Sequence, residues 1–167
     1  MLQRIRQRLA DMRTIKILCE AAERHANAGG EREPGPEHFL LAAFDLPDGL
    51  ARSTFARLGV DPAGLRAAIA AAHGAALAGI GADSAVLADD APLPVSAGPY
   101  RAKGSMQAVM QQLAVWPRAS AQEPLTGAHV LAVLAGARQG TAVRTLRVLG
   151  LEGEEVAAAA KATIAAA

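Results

Sequence analysis

The chain repeats itself after 91 residues, and this offset limits its fold more than any other feature of the sequence. The matching positions need no gap, and they include a histidine, glycines and a shared Leu-Gly-apolar triplet. The identical pairs include His38 with His129, Leu40 with Leu131, Gly49 with Gly140, Ala51 with Ala142, Thr54 with Thr145, Leu58 with Leu149 and Gly59 with Gly150. A supersecondary unit that occurs twice and buries its apolar face against its own copy explains such a pattern. We therefore expect an internal tandem repeat.

Start and stop signals predict four helices in each copy. In the first copy, apolar residues three and four positions apart predict a helix over about 14–28. The signals that bound the helices are Gly29-Gly30 after the first, Pro36 and Glu37 at the start of the second, Gly59 after the third and Asp61-Pro62 before the fourth. Glycine favours helix C-termini, whereas Asp followed by Pro suits an N-terminus. We expect an all-α protein in which two four-helix units, about eight helices in all, are related by a pseudo-twofold axis.

The repeat also predicts the domain organisation. We expect one domain over residues 1–167, with repeat one at about 12–72 and repeat two at about 105–165. The intervening stretch, at about 73–104, is rich in Gly, Ala, Asp and Pro. Its prolines exclude a regular helix throughout, so we expect a connecting loop.

Composition narrows the class of function. The hydrophobic fraction of 51% allows a sizeable core, and the net charge of +1, from 17 basic and 16 acidic residues, creates no strong field. A balanced charge argues against nucleic-acid and membrane partners, so a DNA-binding helix-turn-helix is a weak alternative. The single cysteine excludes an internal disulfide and fits a reducing cytoplasm. Arginines interrupt the N-terminal segment, which therefore does not have the pattern of a secretory signal.

The first residues form a separate feature. Leu2, Ile5, Leu9 and Met12 make a narrow apolar stripe between arginines. We interpret this segment as a leading helix that docks on the core or continues into the next helix. A basic helix that binds a partner or a membrane surface is the alternative.

Several motifs resemble the N-terminal (Clp repeat) domain of Clp unfoldases of the ClpA and ClpC type. The matching stretches are Pro36-Glu37-His38-Phe39-Leu40-Leu41, Asp48-Gly49-Leu50-Ala51, Leu58-Gly59-Val60-Asp61, the looser His129-Val130-Leu131 and Leu149-Gly150-Leu151 of the second copy, and Gly98-Pro99-Tyr100-Arg101-Ala102-Lys103 before it. The resemblance covers roughly residues 12–165. It implies a pseudo-twofold bundle that docks substrates or adaptors ahead of ATPase modules.

The chain carries no phosphate-binding G-x-x-x-x-G-K-[ST] motif, so we expect a stand-alone module, or a fragment, without the ATPase. The leading hypothesis is a non-catalytic, cytoplasmic binding module of Clp-dependent proteolysis, with protein substrates, adaptors or Clp components as partners. The alternative is a helical regulatory protein that kept the scaffold and lost its Clp partners. Gly127 and Ala128 in the second copy motivate that alternative.

The resemblance also implies a candidate ligand site. In ClpC proteins the glutamate of the Glu-His motif receives the guanidinium of phosphoarginine, a degradation tag, and a carboxylate suits that planar donor. Glu37 is the matching residue, whereas the second copy has Ala128. Thr14, Arg101 and Lys103 are candidates for the phosphate. The structural alternative for Glu37 is a favourable charge at the start of a helix.

The remaining reactive residue types have ordinary structural interpretations. We expect His38 and His129 to pack between helices and to hydrogen-bond backbone carbonyls. Cys19 lies on an apolar stripe and is expected to be a small core residue. We predict no metal site, because His25 and His73 show no ligand spacing. We also predict no catalytic residues and no cofactor, because the sequence shows no convergent set of titratable groups.

Overall fold

The computed structural model describes residues 2–79, 104–118, 120 and 123–167. Over these ranges the chain forms eight α-helices and one short 3₁₀ turn, Pro62–Gly64, without any β-strand. The helices are α1 (Leu2–Ala28), α2 (Pro36–Asp45), α3 (Leu50–Arg57), α4 (Leu65–Gly79), α5 (Gly104–Ala114), α6 (Gly127–Ala135), α7 (Thr141–Val148) and α8 (Gly153–Ala165). The all-α prediction is confirmed.

The helix bounds follow the 91-residue offset. α3 and α7 begin and end at equivalent positions, and α2 and α6 begin at equivalent positions. The 3₁₀ turn before α4 corresponds to the first turn of α8. α4 continues to Gly79, past the predicted end of the first repeat at residue 72, and most of the predicted linker lies outside the described residues.

Glycines end the third helix of both copies in the same way. Gly59 and Gly150 have φ values of 68° and 76°, a left-handed conformation that glycine adopts without steric cost. The next N–H closes each turn: Val60 donates to the Phe55 carbonyl at 3.1 Å, and Leu151 donates to the Leu146 carbonyl at 2.9 Å. This is the Schellman arrangement, and it satisfies carbonyls that the helix leaves without a partner.

The fourth helix of each copy contacts the third helix of the other copy, and α8 also packs extensively on α6 of its own copy. α4 of the first copy packs on α7 of the second, and α8 packs on α3, while α2 and α6 meet in the centre. The largest fully buried apolar side chains come from both copies: Leu18, Phe39, Leu40, Phe55, Leu65, Met106, Leu113, Leu131, Leu134 and Leu146. One continuous core therefore joins the repeats.

Gly127 lies at a close approach of the two copies. A Cβ at this position would lie 2.6 Å from the Ala43 carbonyl oxygen and 3.1 Å from the Ala51 Cβ. Asp48 bridges the same point, because its carboxylate accepts from Gly127 N at 3.1 Å and from Leu50 N at 2.8 Å. The N-termini of α3 and α6 thus share one acidic cap, and Gly127 has a packing reason of its own.

Candidate functional site

The start of α2 buries a carboxylate. Glu37 lies in the first turn and is 1% exposed. Its carboxylate covers Gly35, where a Cβ would lie 2.8 Å from Glu37 Oε1. In the second copy, Thr126 stands in the place of Gly35 and Ala128 in the place of Glu37. A side chain is therefore present where the first copy has a glycine, and the carboxylate is absent. Gly35 and Glu37 therefore form a matched pair that only the first copy has.

Histidines cap the second helix of each copy. His38 Nδ1 accepts a hydrogen bond from Gly35 N at 3.0 Å, and His129 Nδ1 accepts one from Thr126 N at 3.2 Å. The expectation that these rings bond backbone carbonyls is wrong, because each ring lies at the third helical position, where its nitrogen reaches the exposed N–H before the helix. Both rings are buried, as expected.

His129 is held at both ring nitrogens. Because Nδ1 accepts the backbone N–H, Nε2 carries the proton of the neutral ring, and it donates to Glu123 Oε1 at 2.9 Å. Burial lowers the pKa of His129 and outweighs the opposing effect of Glu123. The ring is therefore neutral at pH 7.

Glu31 joins the α2 cluster from the preceding loop. Ligand atoms of Glu31, Glu37 and His38 lie within 4.8 Å of one another, and His73 Nε2 from α4 lies 3.8 Å from Glu37 Oε1. This proximity is of the kind that holds metal ions. However, Nδ1 of His38 is already an acceptor for Gly35, so Nε2 is protonated and offers no lone pair. With His38 unable to ligate a metal ion in this arrangement, the two neighbouring carboxylates remain, and paired carboxylates suit a guanidinium.

The predicted site residues are only partly placed. Glu37 lies in the cluster, and Thr14 is half-buried on α1, which packs against α2. Arg101 and Lys103 lie outside the described residues. Sequence reasoning missed Glu31 and His73, because neither stands at a helix signal or a motif position.

The first turns of α1 form a second candidate surface. α1 is continuous from Leu2. The leading segment therefore continues into the next helix, which is one of the two arrangements that we expected for a leading helix. Ile5, Leu9 and Met12 are 52%, 60% and 66% exposed. These residues, named here the α1 stripe, project from the molecule because their spacing places them on one helix face.

The opposite face of α1 is anchored to the second copy. Asp11 accepts from Arg118 Nη1 at 2.7 Å, from Leu125 N at 3.1 Å and from Gln7 Nε2 at 3.0 Å. Gln7 also donates to the Glu123 carbonyl at 3.2 Å. Asp11 was not among the predicted site residues, because its partners in the second copy, Arg118 and Leu125, lie more than 100 residues away. This anchor fixes the side of the helix that faces solvent.

Comparison with known proteins identifies one family. Residues 13–86 match the Clp repeat (R) N-terminal domain. The match starts after the α1 stripe and ends before the second copy. No curated protein and no solved structure matches the chain. Among the described helices, none combines the length and the apolar character that crossing a membrane requires.

Proposed function

Residues 13–86 belong to the Clp repeat N-terminal domain family, and on that premise we propose that this chain is a non-catalytic module that docks substrates or adaptors in ATP-dependent proteolysis. Domains of this family are protein-interaction modules. The observation that carries the proposal is the α1 stripe, because its apolar side chains are exposed to solvent while the opposite face of α1 is bound to the second copy. Single exposed apolar residues are common, but several on one helix face are typical of interaction sites. We place this activity in the cytoplasm.

The charges around the stripe define the partner. The exposed residues Arg6, Arg8 and Arg13 accompany it, while Asp11 is occupied by Arg118 on the other side. An amphipathic helix with leucines on one face and acidic residues beside them complements this surface. We therefore infer an acidic amphipathic segment of a substrate or adaptor as the bound element.

A designed peptide tests this docking directly. The probe is a fluorescein-labelled helix with leucines at positions i, i+4 and i+7 and glutamates flanking them, and a scrambled peptide of the same composition is the control. We expect the designed helix to raise the fluorescence anisotropy and the scrambled peptide not to. Leu9→Asn should weaken binding, whereas Val148→Asn, at another exposed apolar residue on α7, should not. Equal binding of both peptides, or binding only to phosphatidylserine vesicles, would overturn the proposal.

A degradation assay separates the Clp role from the alternative. Added to a purified ClpC–ClpP complex that degrades unfolded casein, the chain should slow degradation by competing for substrate or adaptor. The Leu9→Asn variant should compete less well. If wild type has no effect although it binds the designed helix, the alternative applies, namely a regulatory protein that kept the scaffold for other partners.

Phosphoarginine recognition at Glu37 is a second candidate. The neighbouring Glu31 and Glu37 carboxylates favour a guanidinium, and the half-exposed His73 borders them. A ligand must displace His73 or Glu31, because Glu37 itself is buried. Thr14, Arg101 and Lys103 are the proposed phosphate contacts.

Titration calorimetry with free phosphoarginine tests the second candidate. Glu37→Gln keeps the side-chain shape and removes the charge, so it should abolish binding. Glu20→Gln, at an exposed glutamate of α1, is the matched control and should bind normally. Binding that survives Glu37→Gln would exclude this site.

A further inference from the structure

The two copies differ at a groove that runs beside the second helix of each. In the first copy a polar chain crosses this groove. Arg66 Nη2 lies 2.9 Å from His25 Nδ1, and His25 Nε2 lies 2.7 Å from Asp45 Oδ2. Since arginine can only donate, Nδ1 accepts and the proton on Nε2 is donated to Asp45. The chain thus links α4, α1 and α2 through three side chains.

The second copy has lost every member of this chain. At the 91-residue offset, Trp116 replaces His25, Gly136 replaces Asp45 and Ala157 replaces Arg66. These replacements line an open, largely apolar cavity of about 320 Å³. The equivalent cavity of the first copy has a volume of about 280 Å³ and is lined by His25, Asp45 and Arg66, so the two copies differ in the polarity of this cavity and not in its size.

The groove extends along α8. A second cavity of about 540 Å³ shares Trp116, Pro117 and Lys161 with the first and continues past Ile164. Both volumes lie in the range of about 300–1,000 Å³ that is usual for ligand sites. The combined groove is large enough for a side chain together with its backbone.

The indole ring of Trp116 forms one wall of the groove, and a contact with His129 fixes its orientation. Its ring packs edge-on against His129, with centroids 5.6 Å apart and an interplanar angle of 81°. His129 is itself fixed by Thr126 and Glu123. The indole therefore has a partner on one side that orients it, and its other surface faces the groove.

Among the described residues that line the cavity of about 320 Å³, Lys161 is the one charged residue, whereas Glu123 also lines the larger cavity. Lys161, on α8, borders both cavities. A cation beside an apolar pocket complements a carboxylate attached next to an apolar side chain. We propose that the groove binds the C-terminal residue of a peptide that ends in an apolar side chain, with the side chain against Trp116 and the carboxylate beside Lys161. This proposal rests on the protein-binding function above and adds a second contact, separate from the α1 stripe.

The only tryptophan of the chain is the reporter for this site. The probe is an N-acetylated pentapeptide that ends in Ala-Leu-Phe with a free carboxylate. We expect it to change the Trp116 fluorescence with saturation. The C-terminal amide of the same peptide should bind about tenfold more weakly, a factor that corresponds to roughly 1.4 kcal/mol. Equal binding of acid and amide would overturn the assignment of the carboxylate to Lys161.

Matched variants test the two halves of the site. Lys161→Gln should remove the preference for the acid over the amide, whereas Lys16→Gln, on the exposed face of α1, should retain it. Ala157→Arg combined with Gly136→Asp restores the charged groups of the first copy and should abolish binding. Ala157→Leu narrows the groove without adding charge and should also abolish binding. It provides the test if the charged double variant does not fold. Binding unchanged by Ala157→Leu would place the peptide elsewhere.

The free acid is the competing ligand. 3-Phenylpropionate carries the same aromatic ring and carboxylate without a peptide, and we expect it to bind more weakly than the pentapeptide. Equally tight binding would overturn the peptide assignment and identify a site for small carboxylic acids. Because the α1 docking assay uses a different surface and probe, its failure and the failure of this groove can be told apart.

Discussion

Replacing Gly127 with alanine would force the two copies apart at a close backbone contact. The new Cβ would lie 2.6 Å from the Ala43 carbonyl oxygen. Carbon–oxygen contacts settle near 3.3 Å, so the helices must separate by about 0.7 Å. The shift also weakens the hydrogen bond from Gly127 N to Asp48, which is 3.1 Å long.

The expected loss follows from these two costs. Overpacking costs about 1–3 kcal/mol. The higher helix propensity of alanine stabilises the folded state by up to about 1 kcal/mol. The weaker hydrogen bond to Asp48 destabilises it and offsets much of this gain. We therefore expect the free energy of unfolding to fall by about 1–3 kcal/mol. At about 2–4 °C per kcal/mol for a chain of this size, Tm should fall by roughly 2–12 °C.

Gly74→Ala is the matched control for this experiment. Gly74 lies inside α4, and a Cβ there would meet nothing within 4 Å. The same substitution should therefore stabilise the protein, by about 0.5–1 kcal/mol. Urea unfolding followed by circular dichroism measures both variants. A Gly127→Ala protein as stable as wild type, with an unchanged denaturant slope, would refute the close packing of the two copies.

Three further predictions concern burial, charge and pH. Phe55→Ala should cost about 3–5 kcal/mol in urea unfolding, because the ring is fully buried and packs edge-on at 4.7 Å from Phe44; a loss below about 1 kcal/mol would contradict this packing. Asp11→Ala and Arg118→Ala should be coupled by about 0.5–3 kcal/mol in a double-mutant cycle, and additive effects would refute the anchor. The pKa of His129 is lowered on folding, so between this value and its unfolded value near 6.5 the unfolded chain binds more protons. Stability should thus fall as the pH drops below about 6.5, and less so in His129→Gln; equal pH slopes would contradict a neutral ring.

Local signals in the sequence predict the helices well. Gly59 and Gly150 end their helices because only a left-handed residue closes the final turn, and this requirement is visible in the chain itself. Asp61 caps the following turn through Ala63 N at 2.9 Å, as its position before Pro62 indicates. Such features depend on neighbours a few residues away, so the sequence is enough to place them.

Contacts between distant residues could not be predicted in the same way. Asp11 and Arg118 are ordinary charged residues until the fold brings them to 2.7 Å. The groove beside Trp116 is an intermediate case. Comparing the copies at the offset reveals that Gly136 stands in the place of Asp45 and Ala157 in the place of Arg66, but only the placed helices reveal that these positions line a cavity.

The contacts that each fourth helix makes with the other copy couple the two copies to each other. Because α4 covers α7 and α8 covers α3, a change in the apolar face of one copy alters the shelter of the other. The interiors must therefore change together, and a half expressed alone would leave its third helix bare and prone to aggregate. The two outer grooves do not depend on each other in this way. Selection can therefore change the lining of one groove for a new ligand while the other keeps its charged side chains.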